Sequence, residues 1–543
     1  MKKRMIKLLS LVLVSMLLCS VFSGCKQNSQ PSQPEQNTSQ AASQAVATQP
    51  AVTQAAGQTS APEASKEIEV LTVGLESDIR NLDPAQTTDL YSASVYTQIH
   101  DKLFDLDINN NIVPVLAEYK QIDDTTYEFY IKKGVKFHNG DELKASDVVY
   151  TLKRGAASGA VAHSFDAIDV DNTVVKDDYT VLVKLKAPSA PFIIKLTGHA
   201  ACVVNEKVME AAGEDYSQNP VGTGPMKFVS WDKNVECVVE RFDDYHGERS
   251  QVKKIVYRPI VELTSRAIEL ESGAVDIVCG IPPTDLKRIE DNSDLQLLTT
   301  VGNSFRYIGF NTSVAPFDNP KVRRALAHAI DTEGITRTIR TPYEEVSIGP
   351  YASTMMYYDS SIDGIHYDPV LAKQLLTEAG YPDGFSTRII ADERKERVDI
   401  ATIVQQQLDE IGVTVNIEVQ EFGSFLETIY AADTDMYVMG WTVGVPDPDY
   451  VVSNTFHSSH AGDGGGNMSF VVDPKFDDLI ERGEKTTDPV ERQKIYSELQ
   501  AYYIEQSPWV MLWTETIYLG VTDKIDIQLS PSGIHQYATA KYK

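Results

Sequence analysis

The chain changes character at Glu67, and that break limits what it can fold into more than any single motif. Residues 26–66 are almost purely Gln, Ser, Ala, Pro, Thr and Asn, with few charges and no aromatic side chain. Such a tract cannot bury enough apolar area to offset the entropy of ordering it, so it is predicted to be a disordered tether. At about 5 to 6 Å times the square root of its length, it reaches roughly 35 Å root-mean-square. From Glu67 onward the composition is that of an ordinary globular protein. Roughly 477 residues exceed what one growing core accommodates, so at least two domains are predicted.

Ahead of the tether, Lys2, Lys3, Arg4 and Lys7 precede an apolar run over 8–22, followed by Ser23, Gly24 and Cys25. A cationic start, a short apolar stretch and small residues before a cysteine fit a secretory leader, and the run is too short for a permanent span. The Ser-Gly-Cys end resembles the lipobox of bacterial lipoproteins, with Phe22 where a small aliphatic residue is more usual. That resemblance implies cleavage of residues 1–24 and lipidation of Cys25 as the new N-terminus of a tethered segment, 25–66. An ordinary leader with an incidental cysteine is the alternative. Several acyl chains, at about 0.8 kcal/mol per buried methylene, would hold the protein on the extracytoplasmic face of a bacterial membrane.

The formal net charge is -28, and it becomes more negative without the leader's cations. A surface this acidic opposes nonspecific nucleic-acid binding and offers no polybasic membrane patch. Beyond Cys19 and Cys25 only Cys202, Cys237 and Cys279 remain, too widely spaced for a redox or zinc motif. They read as core thiols, with one bridged pair as the alternative.

Residues 68–75 read as a strand ending in the turn-rich stretch 76–84, the place where an open α/β sheet exposes a ligand crevice. Helical spacing covers 91–103, 141–153, 322–330, 369–379 and 404–411, with Asn319-Pro320, Asp368-Pro369 and Gly380 as boundary signals. Strands are predicted at 127–131, 173–175, 179–185, 307–311, 413–419 and 437–441. This alternation predicts mixed α/β lobes without internal repeats.

No catalytic constellation stands out: HExxH, GxSxG, CxxC, a Walker loop and GxGxxG are absent. Gly462 and Gly464 to Gly466 lack a following Lys-Ser/Thr and read as a surface loop rather than a phosphate cradle. His457 and His460, near Asp463, have spacing open to a metal or haem contact, although a polar loop is the simpler account. The chain is expected to be no enzyme and to need no cofactor.

A string of segments carries a family resemblance: 75–84, 134–150 (GVKFHNGDELKASDVVY), 222–228 (GTGPMKF), 320–331, 367–382 and 441–450. Together they resemble the extracytoplasmic solute-binding proteins of ABC importers, bacterial family 5, the oligopeptide, dipeptide and nickel group. The resemblance covers residues 68–543. It implies a large bilobal α/β periplasmic-binding-protein-like fold with two chain crossings and an extra subdomain in lobe I. Lobe I would comprise 67–305 and the return segment 506–543, with 507–513 completing it; lobe II would comprise 306–505. The function implied is capture of short peptides by a monomer that delivers them, through hinge closure, to the permease subunits of an ABC transporter.

Peptide receptors of that group hold a ligand amine with an Asp three residues after a tryptophan. Counted from Trp441, that position is Gly444. Asp447 and Asp449 are the substitutes for ligand contact, weighed against turn chemistry around Pro446 and Pro448. Trp441 is a candidate pocket wall or an interlobe packing residue. Tyr450 and Asn454 offer a hydroxyl and an amide. Arg306 suits a ligand carboxylate or an interlobe ion pair, with Tyr307 beside it. Glu76 and Ser77 follow the opening strand and line lobe I, or else cap a helix or face solvent. Arg323 and Arg324 read as a charged helix face. Other readings are the same transport class with haem, an oligosaccharide or a metal complex as cargo; a peptide-binding chaperone or surface adhesion protein; and an extracytoplasmic hydrolase assembled from distant residues.

Overall fold

A computed structural model describes residues 66–543 except 108, 109, 341, 342, 463 and 464; the leader, Cys25 and residues 26–65 of the tether lie outside the described residues. Ten strands form one continuous sheet. They are β1 (Leu71–Leu75), β2 (Met226–Asp232), β3 (Glu236–Arg241), β4 (Lys254–Pro259) and β5 (Ile277–Cys279), then β6 (Leu295–Phe310), β7 (Phe385–Asp392), β8 (Val413–Gln420), β9 (Met436–Trp441) and β10 (Trp509–Thr522). Their order across the sheet is β8-β7-β9-β6-β10-β5-β1-β4-β3-β2. Parallel pairing of β1 with β4 and β5, and of β7 with β8 and β9, marks an α/β arrangement at each end.

The two long strands in the middle join these ends. Residues 295–301 of β6 pair with 516–522 of β10, and 305–309 pair with 509–514, with the register broken between Val301 and Phe305. Such an irregularity removes ladder hydrogen bonds locally and bends the strand pair. The chain thus passes between the two halves of a bilobal fold along two adjacent strands whose pairing breaks between Val301 and Phe305 and shifts again between Arg306 and Tyr307.

Side chains alternate across a strand, so neighbours in these buried strands feed different cores. Ile277 packs with Leu71, Ile99, Tyr257 and Leu519, whereas Val278 packs with Leu270 and Ile289. At the other end Ile308 joins Leu326, Val404 and Val438, and Tyr307 joins Tyr437, Phe456, Tyr496 and Trp509. A separate four-stranded antiparallel sheet, spanning 117–184 in sequence, has its own core around Phe129, Val148 and Phe192. It forms the extra subdomain.

The helices that matter below are α1 (Leu90–Ile99), α2 (Ala145–Ala156), α3 (Pro320–Ala329), α4 (Pro369–Glu378), α5 (Lys395–Asp409), α6 (Pro448–Phe456), α7 (Pro474–Lys485) and α8 (Pro489–Gln506). The starts of α3, α4, α6, α7 and α8 share one device. Asn319, Asp368, Asp447, Asp473 and Asp488 accept hydrogen bonds from first-turn N–H groups, and proline follows at the first helical position.

Several expectations change. The strand read at 307–311 is only the end of β6, whose earlier residues are mostly half exposed and mix Leu295, Leu297, Leu298 and Val301 with Gln296, Thr299 and Thr300 in no strict alternation. The helix read at 404–411 begins at Lys395, and the one read to Leu103 stops at Ile99, where His100 turns extended. In the return segment, Val510, Leu512 and Trp513 pack in the core under α3, α4 and α5. Further along the same strand, residues 519–521 pair with β5. Cys202, Cys237 and Cys279 are free thiols.

Candidate functional site

Two cavities meet beside the register break. The larger, about 460 Å³, is lined by Lys102, Asp105, Thr197 and His199 and by the loop 528–539 on one side, and by Asn303, Gly444 and Pro446 on the other. The smaller, about 230 Å³, is lined by His163, Gly198, His199, Thr442, Gly444 and Tyr450. His199 and Gly444 border both. One wall is the segment 197–200, which follows the short helix Phe192–Lys195. The facing wall is the loop between the end of β9 and the start of α6, which Pro448 and the cap of Asp447 hold in place.

On the first wall, Lys102 Nζ donates to Asp105 Oδ1 and to the Thr197 carbonyl, both at 2.8 Å. His199 Nδ1 lies 2.5 Å from the Tyr96 hydroxyl. Burial, then the nearby charge of Lys102, pushes its pKa down to about 4, so the imidazole is neutral near pH 7.

The residues expected from sequence fall into distinct settings. Tyr450 lines the smaller cavity, its hydroxyl 3.3 Å from His163 Nε2. Trp441 is absent from the lining of either cavity; its ring packs over Gly466 and against the aromatic core, with Nε1 buried and unpartnered. Asn454 turns its amide to the Tyr450 carbonyl, 2.9 Å away within α6. Asp447 is fully enclosed and accepts two bonds from Arg492, at 2.5 and 2.9 Å, besides capping α6. Turn chemistry is therefore its observed setting, with an internal ion pair added.

Asp449 differs. It is 2% exposed, its Oδ2 lies 3.6 Å from Lys195 Nζ at the end of the helix Phe192–Lys195, and its Oδ1 has no hydrogen-bond partner. Burial raises its pKa to about 6, opposed by Lys195 and reinforced by Asp447 and Glu484. For Lys195, burial works against the charge, but Asp449 and Asp166 outweigh it and hold its pKa above the ordinary value.

Arg306 bridges Glu396 at 3.0 Å and Glu515 at 2.8 Å beside the crossing. Tyr307 is buried and stacked on Trp509 at 3.9 Å. Glu76 pairs with Arg266 at 3.0 Å, and Ser77 bonds to the Asp78 carbonyl. None of these lines either cavity. His457 and His460 bond to Ser459 and the Ser453 carbonyl, and Asp463 lies outside the described residues. Among the described residues no group of three or more His, Cys, Asp or Glu is arranged to hold a metal ion.

Sequence reading missed His199, Lys102, Asn303 and the 528–539 loop. Each is unremarkable in its local sequence, and they meet only because distant segments converge at the crossing.

A continuous α/β sheet crossed twice, with cavities between its halves, is the architecture of a binding protein that encloses a solute. The chain belongs to the bacterial extracellular solute-binding proteins, family 5, whose middle-region profile matches residues 111–463. It is 30% identical to the glutathione-binding protein GsiB of Pectobacterium atrosepticum over 466 residues, covering 84% of this chain and 90% of the relative. Its fold is similar to DppA of Helicobacter pylori, an ABC transporter-associated periplasmic binding protein solved with the peptide STSA: TM-score 0.74, 25% identity, 88% and 98% of the two chains. The dipeptide-binding protein of Pseudoalteromonas sp. SM9913, solved with Met-Leu, matches with TM-score 0.74, 26% identity, and 88% and 100% coverage. The protein is thus a solute-binding protein that works outside the cytoplasm, in a family that binds rather than transforms its ligand.

Proposed function

We propose that this protein captures short peptides in the cleft at Gly444 and His199 and delivers them to the permease of an ABC importer. The observation that carries this is the cavity of about 460 Å³ lined from both sides of the register break; its size lies within the range of enclosed small-ligand sites. Closure turns on the two crossings, near residues 302–304 and at Glu515. The first lobe then comprises 67 to about 302 together with the stretch from about 516, and the second lies between. Two adjacent strands with interrupted pairing restrict relative motion to a hinge, and cargo favours the closed form only as far as it binds that form better. Peptide cargo draws support from the solved relatives bound to STSA and Met-Leu and from the glutathione-binding relative. A lipid on Cys25 would keep this monomeric receptor at the membrane where its transporter sits.

Native mass spectrometry of the full-length chain from its own organism, before and after mild denaturation, tests the cargo. A heterogeneous set of peptide masses is expected. A single sugar, haem or metal complex would overturn the peptide reading, and small-angle scattering unchanged by the released cargo would overturn hinge closure.

A further inference from the structure

Gly444 leaves a gap on which two polar atoms converge from opposite walls. A Cβ built there would lie 3.9 Å from His199 Nε2 and 3.9 Å from the Tyr450 hydroxyl. Resting on the peptide-cargo reading above, we propose that this gap is a hydrogen-bond donor site, receiving an oxygen acceptor of the cargo, a carboxylate or a chain carbonyl, and not a free ammonium group.

The protons follow from hydrogen-bond accounting. The Tyr96 hydroxyl is buried, and His199 Nδ1 is its hydrogen-bond partner among the described residues. A buried O–H gives its hydrogen to an available acceptor, so Nδ1 accepts and the ring's hydrogen sits on Nε2, facing the gap. The Tyr450 hydroxyl shares its other side with His163 Nε2 at 3.3 Å. When that nitrogen carries its hydrogen, Tyr450 also donates toward Gly444.

The nearby carboxylates are engaged elsewhere or lie off the cavity walls. Asp105 accepts from Lys102, and Asp107 accepts from the backbone and side-chain N–H groups of Asn111. Asp447 is held by Arg492; Asp449 keeps one oxygen unpartnered beside Lys195, but both are buried and neither lines either cavity. An ammonium at Gly444 would meet N–H and O–H groups with no carboxylate to balance its charge, a costly arrangement for a group leaving water.

Calorimetric titration of the full-length chain in detergent with tetra-alanine tests this, using the peptide with both ends free, N-acetylated, and C-terminally amidated. N-acetylation is expected to change Kd by less than about twofold, while Tyr450→Phe and His199→Ala each raise it roughly threefold to tenfold. Tyr450→Phe keeps the ring and so covers the case in which His199→Ala fails to fold. Weakening by amidation assigns the acceptor to the terminal carboxylate, and unchanged binding assigns it to a chain carbonyl; both sustain the donor site. Loss of binding on N-acetylation, with both variants binding like wild type, overturns the donor site while peptide cargo stands. If no form binds, peptide cargo itself fails. The molecule released from the native protein then decides the donor site: a weaker Kd in Tyr450→Phe sustains it, and a cargo without any carbonyl or carboxyl oxygen overturns it.

Discussion

Where α6 meets α8 the buried charges are matched bond for bond, and where the same helix meets the short helix carrying Lys195 they are not. Asp447 spends both oxygens on Arg492, whose Nε donates to the Gly483 carbonyl while its plane lies near the rings of Tyr357 and Tyr496. Asp449, two positions on, has a single partner at 3.6 Å and an oxygen left over. The first arrangement ties α6 to α8 through two hydrogen bonds between fully buried groups. The second joins α6 to the short helix Phe192–Lys195 through one long contact, and under the proposed hinge closure it is a contact that would open with the lobes. Under-satisfaction at Asp449 is consistent with an interface of limited strength.

The largest test of this contrast is Asp447→Asn. It leaves the Arg492 charge buried without its counterion and is expected to cost about 3 to 5 kcal/mol of unfolding free energy in denaturant titrations. A loss below about 1 kcal/mol would show that the matched pair is not what holds α6 to α8.

Asp449 predicts a smaller, pH-dependent effect. Its folded pKa, about 6, lies above the ordinary 3.8, so the folded protein holds this proton more tightly than the unfolded chain. The stabilisation is fully present below pH 3.8 and is lost as pH rises through about 6, amounting to roughly 3 kcal/mol. Unfolding curves between pH 4 and pH 7 should therefore lose this slope in Asp449→Asn. Superimposable pH profiles would remove the unpaired carboxylate from the account.

Trp441→Ala comes next, at about 2 kcal/mol of stability because the half-buried indole packs on the aromatic core. Cargo Kd of the folded variant should move by less than about threefold; a larger change would return the ring to the cleft wall. Asn454→Ala is the mildest, at about 0.5 to 1 kcal/mol, since its amide serves one hydrogen bond within α6. Loss of cargo binding in that variant would extend the site along the helix.

Much of the architecture was readable in advance because it depends on short-range chemistry. The Asn-Pro and Asp-Pro helix starts, the glycine after α4 and the alternating β8 each act within a few residues. The cavity wall was harder. Gly444 was singled out correctly as a position without a carboxylate, yet the groups that surround it, His199 and Tyr450, lie some 250 residues apart in the chain. Asp447 and Asp449 looked equivalent beside their prolines, and nothing local distinguishes which one finds Arg492 and which one finds Lys195.

By itself the amino-acid sequence determined the tether's composition, the mixed α/β alternation, the caps and the family resemblance, since these are set by residue chemistry over short spans. Only the tertiary structure decided where β6 and β10 break register, which core Val510, Leu512 and Trp513 enter, and which polar atoms line the cavities. Those outcomes depend on contacts between segments far apart in the chain, where burial and partner geometry, rather than residue type, fix what a side chain does.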